Sequence, residues 1–240
     1  MRALTYHPLE KLPVTRPVER LSYITRRCAG LRVLDLGALD ETVLGTAQHS
    51  SWKWLHGEVA RSAREVLGVD ASEHLRENGE IRSDFGTRIV YGKVEELDAI
   101  VHDFGPDIVL AGELIEHTSD TLGWLTRLGK VSPGTRLLLT TPNATSILNI
   151  LLAFAGRENQ HEDHLHTYSY KTLSTLARRL NLGDATLTPY YYHSEQFRGR
   201  VPSGLVPLVY AVDYLCLMPV QYLFPLTAVG FILEGRLAGS

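Results

Sequence analysis

A chain of 240 residues, 44% hydrophobic and 21% charged, carries enough apolar side chain for one sizeable core, so a single domain is expected. Its formal charge of −3 argues against a broadly basic surface, and no nucleic-acid partner is expected. The cysteines, Cys28 and Cys216, stand at opposite ends of the chain, which argues against a disulfide framework or a thiolate zinc site and for a reducing, cytoplasmic setting.

The stretch from Met1 to Glu10 lacks the long apolar core of a secretory signal. Residues 1–14, with Pro8 and Pro13, read as an irregular arm, and Thr15 reads as the cap of a helix from Pro17 to about Ala29. The run Val33-Leu34-Asp35-Leu36 then opens onto Gly37, Ala38, Leu39 and Asp40, the pattern of a buried first strand followed by a loop. From Glu41 to Arg64, Val43, Leu44, Ala47, Trp52, Trp54, Leu55 and Val59 recur at mostly helical spacing, with a break expected near Gly57. A second apolar run, Glu65 to Asp70, again ends on a carboxylate, and a helix is expected to open at Ala71.

Further strands are predicted over 88–91, 107–111 and 136–140, each followed by loop or helical residues. Beyond Asn143 the pattern predicts helices over 146–155 and 171–180, flanking a histidine-rich polar segment, then strands near 185–192 and 229–233. Strands and crossovers at this spacing define an α/β class: a Rossmann-like doubly wound sheet, mostly parallel, with an antiparallel C-terminal edge hairpin. The expected division is an N-terminal arm and helix (1–29), a core (30–196 and 227–240) and an apolar insertion or lid (197–226).

Ligands of such sheets bind beyond the carboxyl ends of the strands. Neither Gly-x-Gly-x-x-Gly nor Gly-x-x-x-x-Gly-Lys-Ser/Thr occurs, so the amide cradle that holds a phosphate is missing. Asp70 reads either as an acceptor for ribose hydroxyls or as the cap of the helix behind it.

Four stretches carry a resemblance: Val-Leu-Asp-Leu-Gly at 33–37, Val-Leu-Gly-Val-Asp at 66–70, Asp-Ile-Val-Leu-Ala-Gly-Glu-Leu-Ile-Glu-His at 107–117, and Pro-Gly-Thr-Arg-Leu-Leu-Leu-Thr-Thr-Pro-Asn at 133–143. With Asp-His-Leu-His-Thr-Tyr-Ser at 163–169, they resemble class I S-adenosylmethionine-dependent methyltransferases, in the branch holding ubiquinone-type and natural-product enzymes. The resemblance implies S-adenosylmethionine as cofactor, with Asp35, Gly37 and Ala38 bordering its methionine part, Asp70 holding the ribose, Val94 and Glu95 by the adenine, and Ala111, Gly112 and Glu113 on the sulfonium side; Ala71 is a further cofactor-binding residue. The family's first loop usually reads Asp-x-Gly-x-Gly-x-Gly; Leu39 and Glu41 stand where its later glycines would be, and Lys93 where an acidic residue is frequent.

Methyl transfer needs alignment and exclusion of water, and an oxygen acceptor also needs a base. His117, His164 and His166 are the base candidates, His117 reading equally as a helix-start histidine bonded to backbone. The segment from His161 to His166 lacks a recognised metal spacing and reads as a solvated loop, with no metal expected. Trp52, Trp54 and His56 read as core-filling, while one or two of Tyr190, Tyr191, Tyr192 and His193 are expected to line a pocket.

Between Val201 and Leu233 Asp213 is the sole charged residue, and Pro202, Pro207, Pro219 and Pro225 divide the run. This stretch reads as a lid, or as a peripheral membrane or homodimer contact through 201–226, rather than a spanning helix. The expected reaction is O-methylation of a small or lipid-like acceptor. The alternatives are N- or C-methylation of a natural product or sugar, and a non-catalytic cofactor-binding partner protein.

Overall fold

The computed structural model describes residues 9–39, 54–191 and 202–239. Short apolar runs become one sheet with strands β1 (Val18–Glu19), β2 (Arg32–Leu36), β3 (Glu65–Asp70), β4 (Glu80–Arg82), β5 (Arg88–Tyr91), β6 (Ile108–Gly112), β7 (Arg136–Pro142), β8 (Gly183–Tyr191) and β9 (Gly230–Arg236). Their spatial order is β1-β8-β9-β7-β6-β2-β3-β5-β4. The strands β5, β3, β2, β6 and β7 are mutually parallel, and β9 runs antiparallel between β7 and β8. The expected Rossmann-like sheet with an antiparallel C-terminal pair is therefore present.

The helices are α1 (Arg20–Cys28), α2 (Leu55–Ala60), α3 (Glu73–Asn78), α4 (Asp98–Phe104), α5 (Thr121–Val131), α6 (Ile147–Phe154), α7 (Tyr170–Arg179), α8 (Val206–Val212) and α9 (Met218–Leu223), the last two joined by a π turn over Asp213–Leu217. Side chains alternate across a strand, so each buried strand feeds two cores. Leu34, Leu36, Val109 and Leu137 pack with α4, α5 and α7, whereas Val33, Ile108, Leu110 and Leu138 pack with Ile24 of α1 and Val59 of α2. The same alternation turns Asp35 toward the α1–α2 side, beside Val33.

Several boundaries differ from the sequence reading. Helix α1 starts at Arg20, not Pro17, because Val18 and Glu19 first pair in parallel with Tyr190 and Tyr191 of β8. The cap is Glu19, whose carboxylate accepts from the amides of Leu21 and Ser22, and not Thr15. Strand β4 was too short to show in the pattern; it pairs antiparallel with β5, Ile81 opposite Ile89.

No break occurs at Gly57, which lies inside α2 and is buried. A Cβ there would come within 2.5 Å of the Phe85 ring, so the glycine serves close packing. Of the helix expected over 41–64, residues 41–53 lie outside the described residues, as do Trp52, Tyr192 and His193.

Candidate active site

The carboxyl ends of β2, β3, β5, β6 and β7 meet on one side of the sheet and bring the quoted stretches together. After β2 the chain turns at Gly37, whose φ of +71° favours glycine. The amides of Gly37 and Ala38 bond the Val69 carbonyl at 2.9 and 3.3 Å, stitching the loop to β3. Leu39, which replaces a family glycine, is not among the positive-φ residues and so carries no left-handed strain.

Leu39 instead donates its amide to Asp70 Oδ2 at 2.9 Å, while Asp70 Oδ1 accepts from the Ser72 amide, also at 2.9 Å. The cap of α3 is Ser72, which accepts from the Leu75 amide. Asp70 is thus a clasp between the β2 and β3 loops rather than a helix cap, and its neighbour Ala71 is exposed.

The Asp35 side chain is 2% exposed and its Oδ2 lies 2.8 Å from Nδ1 of His56, itself 1% exposed. His56 Nε2 is 2.8 Å from Thr87 Oγ1, and Trp54 donates its indole N–H to the Ala38 carbonyl at 2.9 Å. The first crossover therefore does more than fill the core: it anchors the carboxylate and the carbonyl of the first loop. Val94 and Glu95 lie in a short 3-10 turn after β5, Val94 half-buried and Glu95 exposed.

The end of β6 is the most constrained part. Ala111 is fully buried, and a Cβ on Gly112 would fall 2.4 Å from Leu55 Cδ2. Glu113 follows with φ +54°, a costly value for a non-glycine residue, held by its amide bond of 2.9 Å to the Thr140 carbonyl. Its Oε1 accepts from the Tyr190 hydroxyl at 2.6 Å and lies 3.8 Å from Arg20 Nε, while Arg20 also donates to Thr140 Oγ1. Arg20, far away in sequence, gave no signal there; Tyr190 was one of a run of aromatics.

The turn beyond it, Leu114 to Thr118, is pinned by the Ile115 carbonyl, which accepts from Thr118, Thr121 and Tyr168 hydroxyls. The next carbonyl, Glu116, accepts from the amides of Leu165 and His166 at 2.8 and 3.1 Å. These bonds lay the histidine-rich segment over β6, with the His164 ring edge-on to His117 at a centroid distance of 4.6 Å. The exposed His161 ring stands 6.1 Å from His117 and 5.9 Å from His164. His166 is exposed and its ring packs on Tyr168 at 6.3 Å, outside this cluster.

Burial and the neighbouring imidazole of His161 hold the His117 pKa below the ordinary value. Burial, then His117 and His161, do the same for His164. The Glu116 carboxyl, 1% exposed, is pushed up to about 8 by burial and by the nearby Glu113. Its Oε2 accepts from Thr141 Oγ1 at 2.9 Å, and among the described residues its Oε1 has no hydrogen-bond partner. Sequence reading passed over Glu116, although it stands next to His117; donor atoms of Glu116, His117 and His164 lie within 4.8 Å of one another, a set able to hold a metal ion.

A glycine-turned first loop, a carboxylate clasp after the second strand and an acidic turn after the fourth parallel strand, on this strand order, define a class I methyltransferase that uses S-adenosylmethionine. The chain belongs to the methyltransferase domain family, whose sequence profile matches residues 9–186. No curated protein matches the chain by sequence.

Solved structures with the same fold include a SAM-dependent methyltransferase from Archaeoglobus fulgidus (TM-score 0.53, 14% identity, 90% of this chain and 94% of that one). The putative methyltransferase bound to the Trm112 activator of Haloferax volcanii is similar (TM-score 0.51, 14% identity, 90% and 87%). So is the small RNA methyltransferase HEN1 (TM-score 0.54, 15% identity, 98% and 28%).

The groups present fit the cofactor. Gly37 leaves the loop backbone uncovered by a Cβ of its own, and Asp70 sets a carboxylate where β2 and β3 end.

Proposed function

We propose that this enzyme transfers the methyl group of S-adenosylmethionine to an oxygen of a small or lipid-like acceptor, in a cytoplasmic setting. Gly37 and Ala38 would border the methionine part with Asp35 anchored beneath them, Asp70 and Ala71 the ribose, Val94 and Glu95 the adenine, and Ala111, Gly112 and Glu113 the sulfonium side. The cofactor supplies an electrophilic methyl group on a positive sulfur. The chain's own work is to align the acceptor oxygen, keep water out and take charge of the acceptor's proton.

The observation that carries the oxygen reading is the pair His117 and His164, pressed together at 4.6 Å beyond β6 and biased toward their neutral forms. Neutral imidazole is the form able to activate a hydroxyl. His166 lies outside this pair. N- or C-methylation of a natural product or sugar is the second reading, since it uses the same cofactor site.

The lipid-like character is supported by an inverted helix. Val206–Leu223 is an 18-residue helical run of mean hydropathy 1.3 that is only 6% buried. It turns Asp213 and Gln221 inward and leaves Leu208, Leu215 and Leu223 exposed. A helix that hides its polar side and shows its apolar one is suited to a greasy partner. HEN1 is named for small RNA; the formal charge of −3 here favours an uncharged or apolar acceptor instead.

The test is calorimetric titration of the full chain with S-adenosylmethionine, followed by an acceptor panel assayed for S-adenosylhomocysteine. Saturable binding with turnover on hydroxylated apolar acceptors supports the reading. Binding with turnover only on amines or carbon acids replaces it with the second, and binding without any turnover favours a non-catalytic partner protein.

A further inference from the structure

We infer that Glu116, His117 and His164 form a binding site for a first-row divalent cation of the zinc or manganese kind, placed to hold the acceptor oxygen. This rests on the oxygen-methylation reading above, with the two imidazoles activating the acceptor hydroxyl through the cation instead of taking its proton themselves.

The donor atoms of the three residues already lie within 4.8 Å of one another. A bound cation at about 2.0–2.2 Å from each ligand would draw them to roughly 3–3.5 Å, a change within reach of side-chain rotation. Two imidazoles and one carboxylate suit zinc, manganese or iron better than magnesium, which prefers oxygen ligands and water.

The carboxylate is what sets this apart from a chance meeting of histidines. Glu116 is 1% exposed, Thr141 satisfies only Oε2, and Oε1 has no partner among the described residues. A buried carboxyl oxygen left without a bond is costly, and a cation that displaces the carboxyl proton satisfies it.

The His164 imidazole is also oriented from behind. His164 Nδ1 lies 3.0 Å from Gln160 Oε1, which can only accept, so the ring proton sits on Nδ1 and the Nε2 lone pair is left for a cation. Outer partners of this kind are what fix a ligating histidine's tautomer and orientation. His166, two residues further along and turned onto the Tyr168 ring, lacks such a place.

Three protein ligands leave further positions for solvent or acceptor, the arrangement of a catalytic rather than a structural metal. An acceptor hydroxyl held there would be acidified, and its proton would pass to bulk solvent as the acceptor binds. One lone pair of that oxygen then forms the new O–C bond as the C–S bond breaks, its electron pair returning to sulfur. The products are the methyl ether, S-adenosylhomocysteine and one proton.

The experiment is calorimetric titration of the chelator-treated full chain with ZnCl2, MnCl2 and MgCl2, with S-adenosylmethionine titrated in parallel. Expected is one saturable site for zinc or manganese, with magnesium weaker. Glu116→Gln and His164→Asn should each weaken it by more than the roughly 10–100-fold that a change in an outer partner costs. Gln160→Ala should fall within that 10–100-fold range, and His166→Asn should leave binding unchanged. Thermal melting of the metal-free variants identifies any that fail to fold; His164→Asn, in a surface segment, then carries the test alone. Absence of saturable binding to the wild type, or equal binding by a folded His164→Asn chain, overturns the site. If S-adenosylmethionine still binds in that case, the methyltransferase assignment stands and only the cation is removed.

Discussion

Asp35 of the first strand is bonded to His56 of the first crossover, Oδ2 to Nδ1 at 2.8 Å, with both side chains fully enclosed between the sheet and α2. The carboxylate that looks from the sequence like a cofactor contact is thereby committed to a protein partner, and it fixes the loop from beneath. Gly68 makes the arrangement possible: a Cβ there would lie 2.8 Å from Ala38 Cβ and 2.9 Å from His56 Cε1.

Replacing His56 by Phe keeps the volume but leaves the Asp35 carboxylate without its ring partner. The expected loss is about 1.5–3 kcal/mol of unfolding free energy, the usual range for a hydrogen bond to a charged group. Urea unfolding of His56→Phe, Asp35→Leu and the double variant measures it. The double variant should lose clearly less than the sum of the single losses, because both polar partners are then gone. Additive losses would show that the pair is not coupled.

Asp70 ties the amides of Leu39 and Ser72 together. Asp70→Ala frees both loops and removes the proposed ribose acceptor. At about 1.5–3 kcal/mol for a lost charge-assisted bond, S-adenosylmethionine should bind roughly 10–100-fold more weakly. Asp70→Asn keeps one carbonyl oxygen, so it should restore more stability than affinity. Calorimetry and thermal melting on the same samples separate the two. Unchanged cofactor affinity in Asp70→Ala would move the ribose contact elsewhere.

Much of this was legible in the residues, for reasons that differ by element. Strands β2, β3, β6 and β7 are buried on both faces, so they appear as short, mainly apolar runs bounded by polar or turn residues. The loops after them end on chemically distinctive residues, Gly37, Asp70 and Glu113. What stayed hidden depends on long-range contacts. Glu19 caps α1 only because Val18 has joined β8, and β4 is a strand only because β5 offers it an edge. The grouping of Glu116 with His117 and His164 needs the Glu116 carbonyl to capture the amides of Leu165 and His166, some fifty residues on. No local pattern encodes that. His56 was masked by its tryptophan neighbours, which made the whole segment read as filling.

The two cysteines should differ sharply in reactivity. Cys28 is buried, and burial together with Asp35 pushes its thiol up to about 12, whereas Cys216 is exposed. A raised thiol pKa keeps the unreactive neutral form, so at pH 8–9 Cys28 stays protonated by about three or more units. A water-soluble alkylating reagent should therefore modify one thiol per native chain and two in denaturant, with Cys216 found labelled by peptide mass. Labelling of Cys28 in the native chain would mean that the α1–sheet contact opens readily.

The inverted helix predicts a particular kind of membrane contact. Leu215 and Leu223 are 75% and 74% exposed, Phe224 61%, and Phe154 at the end of α6 88%, while Asp213 and Gln221 point inward. Burying such side chains in lipid is worth about 1.5–3 kcal/mol each, so Leu215→Glu/Leu223→Glu should reduce vesicle binding by roughly 100-fold or more. With a formal charge of −3 the attraction is apolar, not electrostatic. Flotation with neutral phosphatidylcholine vesicles should therefore carry the wild-type chain upward, the same at 0.1 M and 1 M salt, where charge attraction would be screened away. The double variant should remain at the bottom while still binding S-adenosylmethionine, because both leucines are exposed and neither is bonded to the loops at Gly37 and Asp70. If the wild type stays at the bottom but sediments as a dimer that the double variant dissociates, the apolar face serves a second copy of the chain. If it neither floats nor dimerises, the face belongs to the acceptor alone, and the same two substitutions should then raise the KM for apolar acceptors.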